Sequence, residues 1–103
     1  LADAQRLAPD NASIPAEEGR IYLESAQPAQ ALAAFGRALA LEPHNAEALN
    51  NRGAALLALG QKDAAVADFR RALAIDPCQI DALRNLSRLN LLPPASGDCR
   101  ELK

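Results

Sequence analysis

The 103-residue chain predicts an all-α fold, a solenoid of antiparallel helix pairs, on three observations. The first is a repeat. Pro9, Pro43 and Pro77 stand 34 residues apart, and the same step links Ala4, Ala38 and Ala72. It also links Leu1, Phe35 and Phe69, Gly19 and Gly53, Tyr22 and Leu56, Ala31 and Ala65, and Leu39 and Leu73. A fixed period in the range of about 20–50 residues marks stacked supersecondary units. The second is the unit itself: residues 53–77 read as a helix, a tight turn at Gly60, a second helix and a stop at Pro77. The third is composition. Half the residues are apolar but only 3% are aromatic, and Ala and Leu supply most of the rest, which suits closely packed helices.

In chain order, residues 1–11 read as the last half of a helix followed by the turn Pro9-Asp10-Asn11. Residues 12–25 form a helix with Gly19 and Tyr22 on one face. Pro15 fits there only within the first turn, where its missing N–H costs least. Gln27-Pro28 starts a second helix, whose Ala31, Leu32, Phe35, Ala38 and Leu39 share an apolar face at helical spacing. Glu42-Pro43 ends it, because a residue before proline avoids the helical region. Asn45 is a good N-cap for the next helix, and Glu47 in its first turn complements the macrodipole. That helix runs to Leu59, with Gly60 free to take the left-handed conformation beyond its end. Ala65, Val66, Phe69, Ala72 and Leu73 line the following helix, which Asp76-Pro77 stops. A last helix, about Gln79–Leu91, carries Ile80, Leu83, Leu86 and Leu89–Leu91. Pro93-Pro94 forbids its continuation, and the rest reads as a tail.

Residues at these spacings follow from what a helical pair lacks. Two helices joined by a short turn cannot bury their shared face alone, but stacked copies can. Gly19 and Gly53, opposite Ala31 and Ala65, permit close backbone approach; Phe35 and Phe69 fill the space between paired helices. The pattern Gly53…Leu56…Ala65…Phe69…Ala72…Pro77, and still more Gly19…Tyr22…Ala31…Phe35…Ala38…Pro43, resembles the tetratricopeptide repeat signature. The resemblance covers nearly all of residues 1–92. It divides them into a half repeat at 1–11, repeats at 12–45 and 46–79, and a capping helix at 80–92, with a tail at 93–103. Where the family has Trp the chain has Pro15, Leu49 and Leu83. Where it has its first Leu the chain has Glu18, Arg52 and Leu86; Pro15 and the two charges imply looser packing. Ser87 and Asn90 occupy the Gly and Tyr slots of the third copy, which reads as a terminal cap.

The resemblance implies a right-handed superhelix whose concave side is lined by the first helix of each pair, with partners in that groove. By position the lining includes Glu17, Arg20 and Glu24, then Glu47, Asn50, Asn51 and Ala54, then Asp81, Arg84, Asn85 and Arg88. Arg84 and Arg88 are one helical turn apart and share a face. Asn51 and Asn85 are 34 residues apart and suit hydrogen bonding to an extended peptide backbone, as asparagine ladders do in similar proteins. Arg20, Arg84 and Arg88 are candidates to hold a carboxylate. The likeness to the carboxylate clamp of chaperone-binding members is partial, since Glu17 sits where that clamp wants a donor. The plainer reading is that these are solvated side chains.

The function implied is a protein–protein interaction module, a scaffold or adaptor that binds a peptide or protein segment in the groove. The alternative is a structural or self-association domain, packed on a catalytic or membrane-linked domain elsewhere in a longer chain or associating weakly through its open repeat ends. The chain lacks an initiator Met, which suits a piece processed or cut from something longer. Net charge is −2 with acids and bases interspersed, so no basic stripe exists for nucleic acid. No window approaches the roughly 20 apolar residues of a membrane span. His44, the one histidine, has no neighbouring ligand in sequence, and no nucleophile motif or Gly-rich loop is present. The sequence therefore implies no enzyme, no cofactor and no metal. Cys78 and Cys99 leave two readings. About 20 Å of helix against about 26 Å of extended tail lets a disulfide form, with a periplasmic or exported location. Two reduced thiols fit the default cytoplasmic one.

Overall fold

A computed structural model describes residues 11–91. The half repeat before Asn11, the tail and Cys99 lie outside the described residues, and with them the expected Cys78–Cys99 pairing. Within those bounds the chain is five helices: α1 (Ser13–Glu24), α2 (Pro28–Leu41), α3 (Ala46–Ala58), α4 (Lys62–Ile75) and α5 (Ile80–Arg88). Helices α1 and α2 pack as one hairpin and α3 and α4 as the next; α3 also lies against α2, and α5 against α4.

The local signals act where the sequence puts them. Pro15 is the third residue of α1, and Pro28 opens α2. The Ala48 N–H donates to Asn45 Oδ1 at 3.0 Å, the N-cap bond of α3, and Glu47 sits in that helix's first turn. Gly60 has φ +83°, and the turn it makes is a Schellman motif: Gly60 N–H donates to the Leu57 carbonyl at 3.0 Å and Gln61 N–H to that of Leu56 at 2.9 Å. The first hairpin turns the same way with Ala26 at φ 60°, and Gln27 N–H reaches the Tyr22 carbonyl at 2.8 Å.

The last helix departs from expectation. It ends at Arg88, not near Leu91. Asn90, at φ 61°, takes the left-handed position, and Leu91 N–H closes the turn onto the Leu86 carbonyl at 2.8 Å. Asn tolerates that conformation better than most residues. The family's Tyr slot at Asn90 is therefore outside the helix altogether.

The interior lies between hairpins as well as within them. Phe35 is fully buried with Ala31 of its own helix and Ala55 of α3. Leu39, Leu49, Leu56, Val66, Phe69, Ala82 and Leu86 form a second cluster that joins α2, α3, α4 and α5. Fully burying a side chain such as Leu or Phe contributes about 1.5–3 kcal/mol. One hairpin could not enclose either Phe on all sides, and the stack does.

The charged residues in apolar slots are paired across their own hairpins, which the sequence did not show. Arg52 of α3 grips Asp68 of α4 through two hydrogen bonds, Nε to Oδ2 at 2.7 Å and Nη2 to Oδ1 at 2.9 Å. Glu18 of α1 pairs with Arg37 of α2 at 2.8 Å. Pro15 is buried. Each charge ties the two helices of its own hairpin together.

Candidate functional site

Helices α1 and α3 are the first helices of the two hairpins, α5 follows the second, and α3 touches both of the others. Their adjacency makes one continuous face from residues widely separated in sequence. Between α1 and α3 the face opens into a cleft of about 200 Å³. Ala16, Glu17 and Arg20 form one wall, Glu47, Ala48 and Asn51 the other, and Glu42 and Asn45 of the α2–α3 loop close an end. The cleft is polar. Glu17, Glu42 and Glu47 are exposed at it, and Arg20 is held by Glu17 at 3.0 Å.

On α5, Asp81, Arg84 and Arg88 are exposed, and Asn85 reaches α3. Arg84 lies 3.6 Å from Asp81, both side chains 59% exposed, so that pair contributes little. Arg88 is exposed at the last turn. Glu24 is the final, exposed residue of α1 and does not line the cleft.

Asn50 differs from the groove-lining expectation. It is only 4% exposed. Its Oδ1 accepts from Asn85 Nδ2 at 2.9 Å, and its Nδ2 donates to Asn51 Oδ1 at 3.4 Å. Helix α5 arrives against α3 at this point and covers it. The sequence showed only two adjacent asparagines; a helix turns about 100° per residue, so both cannot face the same way. Asn51 and Asn85 are half-buried. The two that the repeat aligns are thus linked through the one it does not.

One titratable group in this region is perturbed. The hydrogen bond to Asp68 holds the Arg52 guanidinium charged beyond arginine's ordinary range; burial opposes this, and the attraction of the carboxylate adds to it. Among the described residues no cluster of three or more His, Cys, Asp or Glu is placed to hold a metal ion, and no helix is long and apolar enough to cross a membrane. His44 is exposed in the α2–α3 loop.

The tetratricopeptide repeat family model matches residues 17–78. Among solved structures the chain is similar to the first tetratricopeptide repeat domain of Spaghetti (RPAP3), determined with the HSP90 peptide SRMEEVD bound. The two are 26% identical with a TM-score of 0.78, over 86% of this chain and 71% of that one. No curated protein matches.

Proposed function

The chain belongs to the tetratricopeptide repeat family, and from that premise we propose that the α1–α3–α5 face is the docking groove for an extended segment of another protein. An interaction module is what the family and the peptide-bound neighbour support in general terms. The finer reading is supported by one observation: α1 and α3 enclose a cleft lined by Arg20 and Asn51, and Asn85 of α5 is linked to Asn51 through Asn50. An extended backbone presents alternating N–H and C=O groups, and side-chain amides at repeating intervals match it. Phe35 and Leu39 of α2 and Val66 and Phe69 of α4 are instead committed to the core.

A selection from a random dodecapeptide library on the immobilised chain tests the proposal. Selected peptides compete with one another and lose at least tenfold in affinity on Asn51→Ala or Asn85→Ala, with helicity unchanged. Peptides indifferent to both substitutions, or displaced only by changes on α2 and α4, overturn it. A mass that rises with concentration and peptides that fail to bind favour self-association instead.

A further inference from the structure

We propose that buried Asn50 is a positioning residue that fixes which amide atoms the groove presents to its ligand. The inference rests on the groove reading above. Asn50 accepts from Asn85 through Oδ1 and donates to Asn51 through Nδ2. Both of its functions are used, and it is 4% exposed, so it touches no ligand itself. Its effect is on its neighbours. Because Asn51 receives through its oxygen, its Nδ2 is left as a donor. Because Asn85 gives through its nitrogen, its Oδ1 is left as an acceptor. No further hydrogen bond engages Asn51 Nδ2 or Asn85 Oδ1 among the described residues.

The groove therefore offers one donor and one acceptor of defined sense. Together they suit a carbonyl and an N–H of one extended main chain, read independently of side chains, and they set the direction in which that chain runs. Without Asn50 each amide is free to rotate and flip by half a turn, and the ligand must order both. Immobilising such side chains costs affinity by about threefold to tenfold each.

Two variants and two readouts test this. In the wild type, nuclear magnetic resonance finds the Asn85 Nδ2 proton protected from exchange. In Asn50→Leu, which fills the site with an apolar group of similar size, that protection is lost. The affinity for the selected dodecapeptides falls about tenfold while helicity is kept. In Asn50→Asp both side-chain oxygens accept, so Asn85 stays protected but Asn51 turns its nitrogen inward. The Asn51 amide then becomes protected as well, and the same peptides weaken by a similar factor. Asn50→Leu with wild-type affinity, while Asn51→Ala and Asn85→Ala still abolish binding, overturns the positioning role and leaves the groove standing. Indifference of the peptides to all three substitutions sinks both. Should Asn50→Leu fail to fold, an Asn50→Asp protein with unchanged Asn51 protection overturns the proposal by itself.

Discussion

The Phe69 ring packs so closely on Gly53 that a Cβ built there would lie 2.6 Å from Phe69 Cε1 and 3.1 Å from the Ala65 carbonyl oxygen. The same relationship recurs one period earlier, where a Cβ on Gly19 would lie 2.5 Å from Phe35 Cε1. Both rings are fully buried and have no free space to move into. Alanine is the better helix former by about 0.5–1 kcal/mol, but overpacking at contacts this short costs toward the upper part of about 1–3 kcal/mol. Gly53→Ala is therefore expected to destabilise by about 1–2 kcal/mol in urea titrations. At Gly53 the rigid Ala65 carbonyl opposes any shift, so it suffers more than Gly19→Ala. A Gly53→Ala protein as stable as the wild type would mean that the ring is not held where it lies.

The two hairpin turns place different residues in the same backbone state. Ala26 at φ 60° and Gly60 at φ 83° are one repeat apart. A Cβ in the left-handed region costs roughly 1–2 kcal/mol. Ala26 is exposed, so no packing compensates for it. Ala26→Gly is expected to raise the melting temperature, by about 1 kcal/mol in stability, and Gly60→Ala to lower it by a similar amount. A calorimetric scan of the pair checks both signs at once.

How far the sequence carries can be read from particular residues. Gly19, Phe35, Gly53 and Phe69 were legible because the constraint they obey repeats with the chain. Asn45 and Gly60 were legible because capping is local. The end of α5 was not, because Leu89 and Leu91 continue an apolar pattern that a helix and a Schellman turn share. In such a turn the residue after the left-handed one packs back on the last helical turn, and Leu91 joins the cluster that holds Leu86. The Arg52–Asp68 pair was missed because the repeat template assigns each slot separately and carries no information on cross-hairpin partners. Asn50 was misplaced because the arrival of α5, not its own polarity, decides its burial.

That Arg52–Asp68 pair is expected to matter more than its counterpart in the first hairpin. The Asp68 side chain is 5% exposed and Arg52 26%, whereas Glu18 and Arg37 are 51% and 58% exposed. Removing one partner of a buried bidentate pair strands the other, at a cost of about 2–4 kcal/mol after allowing for the partly exposed arginine. Asp68→Ala should therefore destabilise severalfold more than Glu18→Ala, which costs under about 1 kcal/mol. The Arg52→Leu/Asp68→Ala double variant should recover most of the loss, since no charge is then left unpaired. The pH dependence has a definite sign. Arg52's pKa is raised on folding, so its contribution is complete below arginine's ordinary value and fades only as pH climbs through the raised one. Stability from this arginine is thus flat between about pH 6 and 9 in denaturant titrations, and a slope that disappears in Arg52→Leu would contradict it.

The distribution of charge along the groove gives the last prediction. Around the α1–α3 cleft Glu17, Glu42 and Glu47 outnumber Arg20, which Glu17 already engages. On α5 Arg84 and Arg88 are exposed, and among the described residues Arg84 has Asp81 near it at 3.6 Å. An acid-rich peptide such as SRMEEVD, seen on the structural neighbour, would face the carboxylates of Glu17, Glu42 and Glu47 at the cleft. It is expected to bind more weakly than peptides selected on the chain itself. Groove peptides with an acidic residue toward α5 should lose about fivefold to tenfold in affinity on Arg84→Glu, a change on the order of 1 kcal/mol. Helicity and melting temperature should stay unchanged, because Arg84 is 59% exposed and supports no core contact. Raising salt from about 0.05 to 0.5 M should shrink the difference between wild type and variant, since screening acts on exposed charges. Isothermal titration at the two salt concentrations reads both effects. Equal affinities in wild type and variant at low salt would remove Arg84 from the groove.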